Sequence, residues 1–365
     1  MGSLSITSKN PQAITDVQTA DPHKFKLKGT GMVELHLGWG CTRDDDGTLC
    51  GGPRKRIEHM EVTHKNHFGM NPSQKVQAPL EKGDHPKLDD SPLLDADGMA
   101  TCQSLIGTLQ WCITPGRFNA TTVVVSMSRF CIAPCEGHLE RVKRTRGHPA
   151  KLRSAFINVM TDEPDHSDPP KKECNWARTT HGKEHKRKAD DVPPPKGKPV
   201  LTTTHKDANP HHDLTTRRAV TGVLHFLNQT PIDWHTKKQE MVDATRGSEL
   251  AAARTATQQI AGLPQAFQCP GVPIRESSHL FCDNWSFITS SALTHSPLSK
   301  RHHALACHHT REAVASNMVA FHHIRGNLNP ADALSKHQRH SHALSCFTSE
   351  MLPTLLRTRS ESVRP

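Results

Sequence analysis

Four acidic residues fall where element ends would bring side chains together: Asp207 closing a strand, Glu249 in the first turn of a helix, Asp283 closing another strand and Asp332 on a short last helix. Carboxylates gathered closely repel one another and take up protons unless a cation balances them, so a convergent cluster points to Mg²⁺ or Mn²⁺. Two such ions about 4 Å apart activate water against a phosphodiester and stabilise the departing oxygen. Any single Asp or Glu is more often a helix cap or a solvated charge, and spacing alone does not choose between these readings.

The elements that must carry these acids are legible in the second half. Leu201 to Asp207, Val220 to Leu227 and Ile232 to Thr236 read as three strands of a meander, with Asn228-Gln229-Thr230-Pro231 as the turn between the last two. Ser248 is placed to cap a helix from Glu249 to about Ile260, His279 to Asp283 reads as a fourth strand, and Ala304 to Ala315 as a helix. Val319 to Ile324 makes a fifth strand, and Pro330 opens a short helix carrying Asp332.

Upstream the order is weaker. Residues 1–100 read as short strands and turns punctuated by Gly, Pro and Asp, and Ala100 to about Arg146 as packed helices. Apolar content collapses between about Asp162 and Pro199, a stretch holding Lys186-Arg187-Lys188 and Pro193-Pro194-Pro195. That gives a first unit at 1–165, a linker at 166–199, a second unit at 200–345 and a tail at 346–365.

The chain has 365 residues and a formal net charge of +10, which favours polyanionic partners, nucleic acid first. No apolar run approaches the ~20 residues that span a bilayer, so no membrane is expected and the chain is expected inside the cell, in cytoplasm or nucleus. Eleven cysteines without a Cys-x-x-Cys pair suit reduced thiols. Cys131 and Cys135 are the nearest pair and match no known zinc finger. Tyrosine is absent while there are 27 histidines, a departure from ordinary usage.

Several stretches resemble copia-type LTR retrotransposon polyproteins, in the family's order. Ser104-Leu105-Ile106-Gly107-Thr108-Leu109-Gln110-Trp111, then Ser128-Arg129-Phe130, Pro134, His138 and Val142-Lys143-Arg144, are similar to the region after the reverse-transcriptase palm. Lys206-Asp207-Ala208-Asn209, Asp233-Trp234-His235-Thr236-Lys237-Lys238-Gln239, Gly247-Ser248-Glu249-Leu250 and Cys282-Asp283-Asn284 resemble its ribonuclease H segments. Ser299-Lys300-Arg301-His302 with His308, Arg311 and Glu312, then Gly326 and Asn329-Pro330-Ala331-Asp332-Ala333-Leu334-Ser335-Lys336, complete the series.

The resemblance implies a mixed α/β, ribonuclease H-like unit with a five-stranded mixed sheet and flanking helices, preceded by a reverse-transcriptase palm and thumb remnant. It implies cutting of RNA in an RNA–DNA hybrid, with Asp207, Glu249, Asp283 and Asp332 as catalytic residues holding two Mg²⁺ or Mn²⁺ ions. Asn284, Lys300, Arg301 and Arg311 are the candidate nucleic-acid contacts, although a solvated helix face explains the last three equally well. His322 or His323 is a candidate for assisting product release. Other products of a retroelement polyprotein are further candidate partners. An integrase-like or other nuclease sharing the fold is the weaker reading, because Trp234 and Lys237-Lys238-Gln239 point elsewhere.

The resemblance fails at the start, where Gly2-Ser3-Leu4 stands in place of the polymerase acids, so no nucleotide addition is expected. His148, His166, His211, His235 and Cys102 stand where relatives commonly carry tyrosine, and Pro149 and Pro210 fall in or beside expected elements. These features suggest a degenerating copy, and a catalytically silent nucleic-acid-binding remnant is the alternative to a nuclease.

Overall fold

The computed structural model describes residues 34–166 and 194–337, apart from 37, 82, 211, 269, 276 and 293–302, together with 12, 176 and 357–358. Most of the expected linker, with Lys186-Arg187-Lys188, lies outside the described residues, as do Lys300, Arg301 and His211.

The first unit begins with β1 (Leu35–His36), β2 (Trp39–Arg43) and β3 (Leu49–Gly52), which join β4 (Ala155–Asn158) in an antiparallel sheet. Four helices fill the interval: α1 (Arg54–Phe68), α2 (Ala96–Ile113), α3 (Thr121–Ser128) and α4 (Glu136–Lys151). The 15-residue α1 was not expected, since 1–100 read as strands and turns. Its inward stripe is only Ile57, Met60 and His64, and a buried histidine looks polar to a pattern reading. Asp95 caps α2 by accepting from the Gly98 N–H at 2.8 Å. Pro149 lies in the last turn of α4, which continues to Lys151. The helices close on a core of Ile57, Met60, Leu105, Leu109, Val124 and Val142.

The second unit is the five-stranded mixed sheet expected from the resemblance. Its strands are β5 (Thr202–Asn209), β6 (Val220–Leu227), β7 (Thr230–Lys238), β8 (Ser278–Cys282) and β9 (Val319–His323). They lie in the order β7-β6-β5-β8-β9, antiparallel from β7 to β5 and parallel from β5 to β9. The helix α5 (Thr245–Gln268) crosses β5 and β6, α6 (Trp285–Ala292) and α7 (Ala304–Ala315) pack beside it, and the short α8 (Asp332–Ser335) lies against β5, β6 and β7. Val223, Ala253, Ile260, Leu280, Phe287 and Phe321 form the core beneath α5.

Several boundaries differ from expectation: β5 runs two residues past Asp207, β8 stops at Cys282, β9 at His323, and α5 continues to Gln268. The helix α5 starts at Thr245 rather than Glu249, so Ser248 is inside it and donates its backbone N–H to Ala244 instead of capping. Asp243, whose carboxylate accepts the Ala244 N–H at 2.9 Å, takes the place at the helix entrance. The strand β7 extends beyond Ile232 to Thr236 at both ends: Asn228, at φ 51, tightens the turn to two residues, and pairing with β6 continues to Val220 and Lys238.

The two units share a buried seam. Phe118 and Ile157 from the first pack with Leu224, Phe226, Ala333 and Leu334 from the second, and Phe118 lies 5.3 Å from the Trp234 ring. Thr122 donates its hydroxyl to the Ala333 carbonyl at 2.9 Å. Asp213, buried at the same seam, accepts from Lys87 and Lys238, with Arg129 at 3.9 Å.

Candidate active site

Asp207 stands near the end of β5, buried, and Asp283 immediately follows β8, half-buried. Because β5 and β8 are adjacent and parallel, their ends coincide at one edge of the sheet. Asp332 opens α8, which the chain folds back across β5 and β6. The carboxylate oxygens of Asp207, Asp283 and Asp332 can be chosen to lie within 4.8 Å of one another. Among the described residues, no other group of three His, Cys, Asp or Glu side chains is placed to hold a metal ion.

Local geometry explains how α8 gets so close. Gly222 is paired with Asp207 across β5 and β6, and a Cβ there would meet the Ala331 carbonyl oxygen and Leu334 Cβ at 2.8 Å. The missing side chain is the space α8 occupies. Asn329, fully buried, donates to the Lys206 carbonyl at 2.9 Å and accepts the Ala331 N–H at 3.2 Å, fastening the turn before Asp332 to β5. Thr236 donates to the Leu334 carbonyl at 2.8 Å, and Asn209 to that of Ser335 at 3.2 Å. The Ser335 hydroxyl donates to the Asp207 carboxylate.

Burial and like charge together shape the electrostatics. Burial, reinforced by the Asp207 charge, pushes the Asp332 carboxyl up to about 7, against the pull of Lys336. Asp283 is raised for the same two reasons. Lys336 partly offsets the repulsion, its ammonium standing 2.7 Å from Asp332 and 3.4 Å from Asp207.

Glu249 does not join the three. It is buried in α5, and its carboxylate is taken by the ammonium of Lys206, which also lies 3.2 Å from the Glu249 carbonyl and 4.2 Å from the centre of the Phe287 ring. The four-acid convergence expected from the sequence is therefore three acids plus a lysine-bound fourth. The strand's alternation explains the difference: Lys206 and Asp207 point to opposite faces of β5, and Lys206 meets α5. Lys206 and Lys336 had no role in the sequence reading. A signal was present for Lys336, in the i,i+4 spacing of Asp332 and Lys336, but the polar run Thr202–Asn209 gives none that Lys206 is buried.

Of the remaining described candidates, Arg311 and His322 are buried while Asn284 and His323 are half-buried. The side-chain carbonyl of Asn284 accepts the Phe287 N–H at 2.9 Å, which makes it the cap of α6. Arg311 is buried, and its guanidinium donates to the Ser290 carbonyl at 3.2 Å, so it ties α7 to α6 rather than facing a phosphate backbone. His322 is stacked on Phe281 and His279 within the sheet face, 2.8 Å from the latter's ring nitrogen. His323 hydrogen-bonds the Asp283 carbonyl at 3.1 Å and lies edge-on to Trp285, which is 46% exposed.

No protein-family model matches the sequence, and no curated protein matches it. Among solved structures the chain is similar to the N-terminal ribonuclease H domain of a Mycobacterium tuberculosis protein, determined as a fusion with maltose-binding protein. That likeness covers 40% of this chain and 98% of that one, at 12% identity and TM-score 0.30. It is similar also to ribonuclease H1 from the halophilic archaeon Halobacterium salinarum, over 40% of this chain and 98% of that one, at 13% identity and TM-score 0.28.

Proposed function

We propose that the chain is a retroelement-derived nuclease of ribonuclease H type, hydrolysing the RNA strand of an RNA–DNA hybrid at Asp207, Asp283 and Asp332 with Mg²⁺ or Mn²⁺. The observation that carries the reading is the meeting of three carboxylates from β5, the end of β8 and α8. The donor set fits a hard divalent cation, being all oxygen and mutually repelling in its absence. When bound, such an ion activates water and stabilises the departing oxygen of a phosphodiester.

The protein's own groups do the rest. Ser335 holds Asp207 in place, Lys336 partly neutralises Asp332 and Asp207 until a cation arrives, and Asp283 is half-buried beside them. Exposed Trp285, two residues along, offers an aromatic face on which a base can stack. The net charge of +10 favours a polyanion. The first unit serves as a palm and thumb remnant that helps seat the substrate and copies nothing.

Incubation of the full chain with an RNA–DNA duplex and Mg²⁺ or Mn²⁺ tests this reading. The RNA strand is expected to be cut, chelation with EDTA to stop it, and Asp283→Asn to abolish it with the melting temperature preserved. A second reading is favoured by the two ammonium groups lodged among the acids: a silent remnant that binds hybrid with steep salt dependence and never cleaves it.

A further inference from the structure

The sequence reading called for two metal ions, and the ligands at the site do not fit two. Asp207, Asp283 and Asp332 converge on one point, while the carboxylate of Glu249, the fourth acid, is held by the buried ammonium of Lys206.

The two lysines are not equivalent. The Lys336 side chain is 37% exposed at the rim and can swing into water when an ion enters. Lys206 is 0% exposed, enclosed by Glu249 and the Phe287 ring, and has no path to solvent. Withdrawing it would leave Glu249 buried and unpaired, which costs far more than the pair is worth.

We propose that Lys206 is a tethered cation standing in for the second ion, so that the site binds a single divalent ion through Asp207, Asp283 and Asp332 while Lys336 withdraws. The proposal rests on the metal-site reading above. In this arrangement Glu249 is a positioning residue, holding Lys206 and through it the end of β5.

Counting Mn²⁺ ions bound per full-length chain, by the loss of the free-ion paramagnetic resonance signal and by calorimetry, tests it without reference to activity. The native chain is expected to bind one ion. Glu249→Gln should leave that ion's affinity within about threefold, whereas Asp207→Asn should weaken it by more than the roughly 10- to 100-fold typical of losing an outer-shell partner. Lys206→Met, which keeps the buried volume, should free Glu249 and raise the count to two. Two ions on the native chain, or a loss in Glu249→Gln as large as in Asp207→Asn, would overturn the assignment while leaving the metal site standing. If Lys206→Met melts below the assay temperature, the Glu249→Gln comparison still decides. No Mn²⁺ bound by the native chain, or Asp207→Asn binding as the native chain does, would remove the metal-site reading itself.

Discussion

Gly222 leaves the room in which α8 approaches β6. Its missing Cβ is the space in which the Ala331 carbonyl and Leu334 sit, 2.8 Å from where that atom would be. Gly222→Val should force α8 away from β6, costing about 1–3 kcal/mol, the usual range for overpacking a close contact. Denaturant melting should record that loss, and Mn²⁺ titration a weaker site; unchanged affinity would mean that α8 does not need this approach. At the residue scale Asp207, Asp283 and Asp332 were legible because each sits in a motif at or near the end of a patterned element. The sequence hid Glu249's partner, since a lysine beside an aspartate reads as an ordinary solvated pair until the strand's alternation and the position of α5 are both known.

Elements were legible where their patterning was strong. The strand β6 runs from Val220 to Leu227 and α7 from Ala304 to Ala315, as the sequence reading has them. The helix α1 escaped notice because one of its three inward side chains is His64, whose proton affinity burial lowers to about 4, keeping the ring neutral. The start of α5 escaped because Ser248 resembles a cap while Asp243 lies at the entrance. What fastens α8 is Asn329, and Asn329→Ala would leave the Lys206 carbonyl buried without its donor. A loss of about 1–3 kcal/mol is expected from such an orphaned group, measured by chemical denaturation, with weaker Mn²⁺ binding alongside.

Across the whole molecule the seam matters as much as either sheet. Burial alone would raise the Asp213 carboxyl, but hydrogen bonds from Lys238, Lys87 and Thr216 override it and hold it well below the usual range. A depressed acid contributes stability that is complete above the unfolded value near 4 and is lost as pH falls below it. Asp213→Asn should therefore flatten the acid limb of a pH–stability curve; a limb unchanged from the native chain would show that the seam does not titrate through this residue. Its cost at pH 7 should fall short of the about 3–5 kcal/mol typical of breaking a buried pair, because Lys87 and Lys238 are partly exposed. A fragment covering 194–337 alone should melt earlier than the full chain, since it uncovers Leu224, Phe226 and Leu334.

The ring positions tell a related story. Cys102 and His148 are buried in the first unit, His166 lies 5.0 Å from Phe281, and burial lowers the proton affinity of His235. A small thiol and imidazoles thus occupy sites that the resemblance would give to a larger phenol, and the fold still closes around them. The Thr122 hydroxyl on the Ala333 carbonyl has its own consequence: the upstream half acts as a chassis for the downstream one. Sequence drift in α3 would surface as a fault at an acid more than two hundred positions away, in a part of the chain that α3 does not neighbour in sequence.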